Sequence, residues 1–132
     1  MIGATMNANP KGLTIVGWIL SVLLALLLAF SATMKFLRPP EMIEQFEGVF
    51  GYPARLAAPI GFVELACVVL FLVPRTAVLG AVLLTGYLGG AVATHVRVGD
   101  PFIAPVIVGV VVWLAVFCRE PRVRALLPLR RV

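Results

Sequence analysis

The stretch LTIVGWILSVLLALLLAFSATM, Leu13 to Met34, carries 22 residues and no charge. A bilayer core of about 30 Å takes about 20 helical residues, so this run has the length of one membrane span. Past Lys35 the apolar run continues through Phe36 and Leu37, which sets the first span at about residues 13–37. A secretory signal is the rival reading, because Ala29-Phe30-Ser31 offers small residues at a cleavable spacing. The apolar core of a signal peptide is only about 7–15 residues, and this run is longer.

Three more runs follow. Leu56 to Val73 is apolar except for Glu64, and Thr76 to Val96 is apolar with His95 near its end. Pro101 to Cys118 is rich in valine. In water such a segment favours a strand, but an open strand in lipid leaves its backbone groups unpaired, so a helix is expected. The expected fold is therefore all-α: a membrane-integral bundle of four transmembrane helices at about 13–37, 56–73, 76–96 and 101–118. A basic tail, 119–132, completes a single domain.

Composition agrees. The 132 residues are 61% hydrophobic and 13% charged. A soluble domain is about half apolar and about a quarter charged. So short a chain has too much surface to keep so few charges in water. Disordered chains, disulfide-stapled modules and most soluble enzymes are excluded. The net charge of +5 comes from cations between and after the apolar runs. They suit membrane orientation and anionic head groups, with no nucleic-acid partner expected.

The connections are short except one. Pro74-Arg75 is a tight turn, and Arg97 to Asp100 joins spans three and four, with Pro101 placed to open a helix. Between Lys35 and Arg55, Pro40 starts a short helix with Met42, Ile43, Phe46 and Phe50 near one face. That pattern fits a helix lying at the membrane interface. Gly51-Tyr52-Pro53 ends it. Lys11, Arg75, Arg119, Arg122, Arg124, Arg130 and Arg131 lie on one side, seven cations, against Lys35, Arg38, Arg55 and Arg97 on the other. The positive-inside rule puts both termini in the cytoplasm. Trp18 and Trp113 fall near that boundary as interfacial anchors.

Few polar residues remain within the spans. Glu64 lies roughly 12 Å into span two at about 1.5 Å per residue. A carboxylate there is costly unless it faces the bundle and is paired or protonated. Tyr87 falls at a similar depth and shares a helical face with Ala91, Thr94 and His95. His95 is the only histidine, which argues against a His-based metal site. Lys35 either snorkels outward or turns inward toward Glu64. Arg97 and Asp100 flank the outer turn and are placed to pair with each other. Glu64, Tyr87, His95 and Lys35 form the candidate buried polar site, with no catalytic residue assigned. Each also has a structural reading: an interhelical hydrogen bond, a packed ring or a head-group contact.

Gly86 and Gly90 form a GxxxG, a spacing that lets helix backbones approach closely. Gly61 shares a face with Glu64, so these glycines are expected to pack spans two and three together, with contact to a second copy as the alternative. Cys67 and Cys118 are far apart, both in apolar runs, with neither a CxxC nor a metal-ligand spacing.

Residues Thr85 to Pro101, TGYLGGAVATHVRVGDP, resemble the signature of the DoxX-like family of small bacterial membrane proteins. Lys35, Gly51-Tyr52-Pro53, Glu64 and Pro74-Arg75-Thr76 extend the resemblance from about Leu13 to the tail. It implies a four-helix transmembrane fold in the bacterial inner membrane. Some members of the wider group are linked to quinone reduction or membrane oxidoreductase complexes, but no catalytic motif transfers residue by residue.

Three functions follow. The first is a membrane subunit associated with redox chemistry, with a quinone as the candidate cofactor, a redox protein as partner and Glu64 handling a proton. No haem-ligand pair or dinucleotide fingerprint is evident, so its electrons come from elsewhere. The second is a non-catalytic scaffold or assembly protein, in which Glu64 only holds register. The third is a small transporter, which requires a homo-oligomer for a path. The bilayer is the partner common to all three.

Overall fold

A computed structural model describes residues 10–130, and they form an all-α protein. Helix α1 runs Lys11–Leu37, and α2 is the short turn Pro40–Ile43, continued by a π-helical segment Glu44–Val49. Helix α3 is Ala57–Leu72, α4 is Ala77–Arg97, α5 is Ile103–Arg119 and α6 is Pro121–Leu126. Arg131, counted above with the tail cations, lies outside the described residues.

Proline and its neighbours set most boundaries. Pro39-Pro40 cannot extend α1, which ends on Arg38 at φ 53°, its N–H donating to the Met34 carbonyl. Pro40 then opens α2 and Pro121 opens α6, each at a first-turn position where its missing N–H costs nothing. Glu120 accepts from the Arg122 N–H at 3.3 Å and so caps α6. Pro101 does not begin α5. Phe102 keeps a non-helical backbone, and the helix starts at Ile103 with Pro105 inside its first turn.

Helices α1, α3, α4 and α5 close a ring in which α1 packs on α3 and α5, and α4 packs on the same two. Their inward faces build one core from Leu24, Leu28, Val68, Phe71, Leu84, Leu88, Val112 and Val116. The outward face is equally apolar: Leu26 is 64% exposed, Phe30 63%, Phe62 68% and Val110 63%. In water such a belt would be unstable; in hydrocarbon it costs nothing. Among the described residues, three helical stretches, Lys11–Leu37, Ala54–Leu72 and Pro74–Arg97, are long and apolar enough to cross a membrane. Ile103–Arg119 is apolar but shorter, at 17 residues.

Glycine sets the close approaches at three points. A Cβ on Gly80 would stand 2.2 Å from the Phe71 nitrogen, so the α3–α4 hairpin closes only because that position is bare. A Cβ on Gly17 would stand 2.5 Å from Arg119 Cγ, and one on Gly61 3.0 Å from Lys35 Cβ. The expected packing role of Gly86 and Gly90 within the chain is not met. A Cβ at either finds nothing within 4 Å, because both border a cavity. Gly61 does pack closely, but against α1 rather than α4.

Candidate functional site

The approach at Gly61 determines what happens one turn along α3. It draws the end of α1 against the start of α3, so Lys35 faces Glu64 rather than the head groups. Lys35 Nζ donates to Glu64 Oε2 at 2.8 Å and to Ser31 Oγ at 2.7 Å. Ser31 lies one turn before Lys35, which is why it can receive that bond. The Glu64 side chain is 2% exposed and the Lys35 side chain 17%. Of the two readings of Lys35, the inward one holds.

The pair borders a cavity of about 490 Å³ at the end of the bundle where α1 and α4 stop. Leu28, Ile60 and Leu88 form its apolar wall; Tyr87, Ala91, Thr94 and His95 come from one face of α4, as their spacing predicts. The Tyr87 hydroxyl interacts with the Glu64 carboxylate. All four sequence candidates, Glu64, Tyr87, His95 and Lys35, therefore meet at one cavity.

The connection after α1 supplies the remaining wall. Phe46 and Phe50 project from the π-helical segment and its end, and Tyr52 follows. Gly51, at φ +77°, makes the bend that turns Tyr52 back, a conformation glycine adopts without strain. Tyr52 Oη and Thr94 Oγ1 share a hydrogen bond of 2.8 Å. Arg97 donates to the Phe50 carbonyl and lies 5.5 Å over the Tyr52 ring. The connection is thus a strap tied to the end of α4.

His95 Nδ1 lies 2.7 Å from Asp100 Oδ2, and its ring meets Phe50 edge-on with centroids 5.0 Å apart. The pairing expected between Arg97 and Asp100 is not made. Gly99, at φ +73°, turns the chain so that Asp100 returns to His95 while Arg97 reaches the strap. Nδ1 is engaged by the carboxylate, and the His95 ring lines the cavity.

The opposite end of the bundle is organised by Arg119. Its guanidinium donates to Ser21 Oγ at 3.0 Å, to the Phe71 carbonyl at 3.1 Å and to the Leu72 carbonyl at 3.5 Å. It also lies 4.0 Å over the Trp18 ring. Trp18 is therefore stacked beneath an arginine, while Trp113 donates to Thr85 Oγ1 at 2.8 Å. Cys67 and Cys118 are both buried. Nothing in the one-dimensional spacing marks Arg119, because its partners come from two other helices.

The sequence profile of the DoxX-like family matches residues 19–118, most of the chain. The chain belongs to the DoxX-like family. Its matched segment includes the whole cavity wall, and with its apolar helices this DoxX-like protein is a multi-pass membrane protein. No curated protein and no solved structure matches it.

Chemically, the DoxX-like site combines an apolar chamber with donors at one end. An ammonium has three N–H donors. Ser31 and Glu64 occupy two of those on Lys35, so the third can serve an acceptor in the cavity. Tyr87 adds a hydroxyl and His95 a ring nitrogen. The set suits a lipophilic molecule with carbonyl oxygens at its polar end.

Proposed function

We propose that this protein is a quinone-binding membrane subunit that works beside a redox partner. The observation that carries the reading is the Lys35–Glu64 pair at the wall of a cavity that combines apolar side chains with the hydroxyl and imidazole groups of Tyr87, Thr94 and His95. Ionised groups in such a place are expensive and mark functional sites more often than packing. Lys35 would hold a quinone by donating to one of its carbonyl oxygens, with Tyr87 lining the same cavity. A bound quinone would supply two-electron, two-proton chemistry, with its electrons coming from the partner. Glu64 and His95, which line the cavity, would hand protons to the ring oxygens, and Asp100 orients His95.

In this reading the chain spans the bacterial inner membrane four times, with both termini cytoplasmic. Pro101 and Phe102 before α5 and the residues after Arg119 complete the fourth crossing at the interfaces. The strap rides at the outer interface, and the Arg119 end faces the cytoplasmic head groups. The surplus of cations at that end supports the orientation.

The test is extraction of the purified protein for bound lipids and quinones by mass spectrometry, followed by titration with a short-chain benzoquinone. Saturable binding that is lost on replacing Lys35 supports the proposal. A folded protein that binds no quinone contradicts it, and leaves the pair as a device of helix register in a scaffold.

A further inference from the structure

A second cavity of about 320 Å³ lies beside the first, between α1 and the strap. The two share Ser31, Lys35, Phe46 and Phe50 as walls. On α1 the second cavity is lined by Leu27, Phe30, Ser31 and Met34, the i, i+3, i+4, i+7 spacing of one helix face. From Lys35 back to Leu27 that face rises about 12 Å at about 1.5 Å per residue. It leads from the polar head of the main cavity toward the lipid-facing middle of α1, where Leu27 is 52% exposed and Phe30 63%. Met42 and Gln45 of α2 and the π-helical segment form the facing wall.

We infer that this groove is the subsite for the lipophilic tail of the ligand whose head lies at Lys35. The inference rests on the quinone reading of the main cavity and specifies the ligand class: a ring bearing a long isoprenoid or alkyl chain. The adjacency of the two cavities, which share Ser31, Lys35, Phe46 and Phe50 as walls, supports this occupant. A chain attached to a ring at Lys35 has an apolar course along α1 that does not cross the core. A tail that leaves the bilayer for this groove gains packing rather than hydrophobic transfer, because lipid is already apolar. The groove therefore governs which tails are admitted more than how tightly the ring binds.

The experiment uses two probes, a benzoquinone with no alkyl tail and the same ring with a decyl chain, on protein in nanodiscs. Leu27→Trp fills the groove from its exposed side, where the added bulk is tolerated; Met34→Trp is the second variant should the first fail to fold. The expected result is unchanged binding of the bare ring and a loss of about tenfold for the decyl ring. Equal responses of the two probes overturn the inference and identify the groove as a seat for a bilayer chain. If neither probe binds the unaltered protein, the quinone reading fails, and the tail subsite fails with it.

Discussion

Lys35 of α1 and Glu64 of α3 meet at 2.8 Å across the wall of the main cavity, held together by the close approach of α1 to Gly61. This places a cation and an anion where the chain has few of either. Its consequences separate architecture from chemistry.

Removing one partner leaves a buried charge without its counter-ion. Lys35→Met is expected to destabilise the fold by about 3–5 kcal/mol, the usual cost of breaking a buried pair. The double replacement Lys35→Met with Glu64→Leu is expected to recover most of that stability, because no lone charge remains. Thermal unfolding in detergent checks both. A double variant as unstable as the single one contradicts the account.

Glu64→Lys sets two ammonium groups against each other at the same wall. Stable assembly in the membrane is expected to fail, seen as loss of protein from the membrane fraction. Normal yield and melting would mean that residue 64 faces water.

Arg119 joins α1 to the end of α3 through Ser21, the Phe71 and Leu72 carbonyls and the Trp18 ring. Arg119→Leu is expected to cost on the order of 2 kcal/mol, since hydrogen bonds to charged groups are among the stronger ones. Arg119→Lys is expected to recover only part, because an ammonium cannot present the planar fork or stack as guanidinium does. Equal melting of the Lys variant and the unaltered protein would show that charge alone suffices.

The glycines differ sharply. Gly80→Ala drives a methyl toward the Phe71 backbone and is expected to destabilise by about 1–3 kcal/mol or more, as overpacking does. Gly86→Ala meets nothing within 4 Å and is expected to leave stability unchanged or raise it by up to about 1 kcal/mol, the helix-propensity gain over glycine. Melting curves of the two variants give the comparison directly.

These contrasts show what was legible in the chain before folding. Uncharged length marked the apolar helices, and the scarcity of polar residues singled out Glu64, Tyr87, His95 and Lys35, which share one cavity. Helical spacing placed Tyr87, Ala91, Thr94 and His95 on a common face because that periodicity is local. Across helices, the Lys35–Glu64 pairing was legible only as one of two readings, and the close approaches were not legible. The GxxxG at Gly86 and Gly90 has the spacing of a contact but borders a void, while Gly80, without such a motif, makes the close approach. Arg97 and Asp100 are near in sequence, yet the bend at Gly99 sends them to different partners. Tyr52 stood in the sequence as part of a helix-ending Gly51-Tyr52-Pro53, and its bond to Thr94 depends on how the strap folds back.

The measurement that bears most directly on the quinone reading is equilibrium binding of a short-chain benzoquinone in nanodiscs, comparing the unaltered protein with the folded double variant Lys35→Met, Glu64→Leu. The account predicts saturable binding to the first and a loss of at least about tenfold in the second. Absence of saturable binding to the unaltered protein, or equal binding to both, would contradict it.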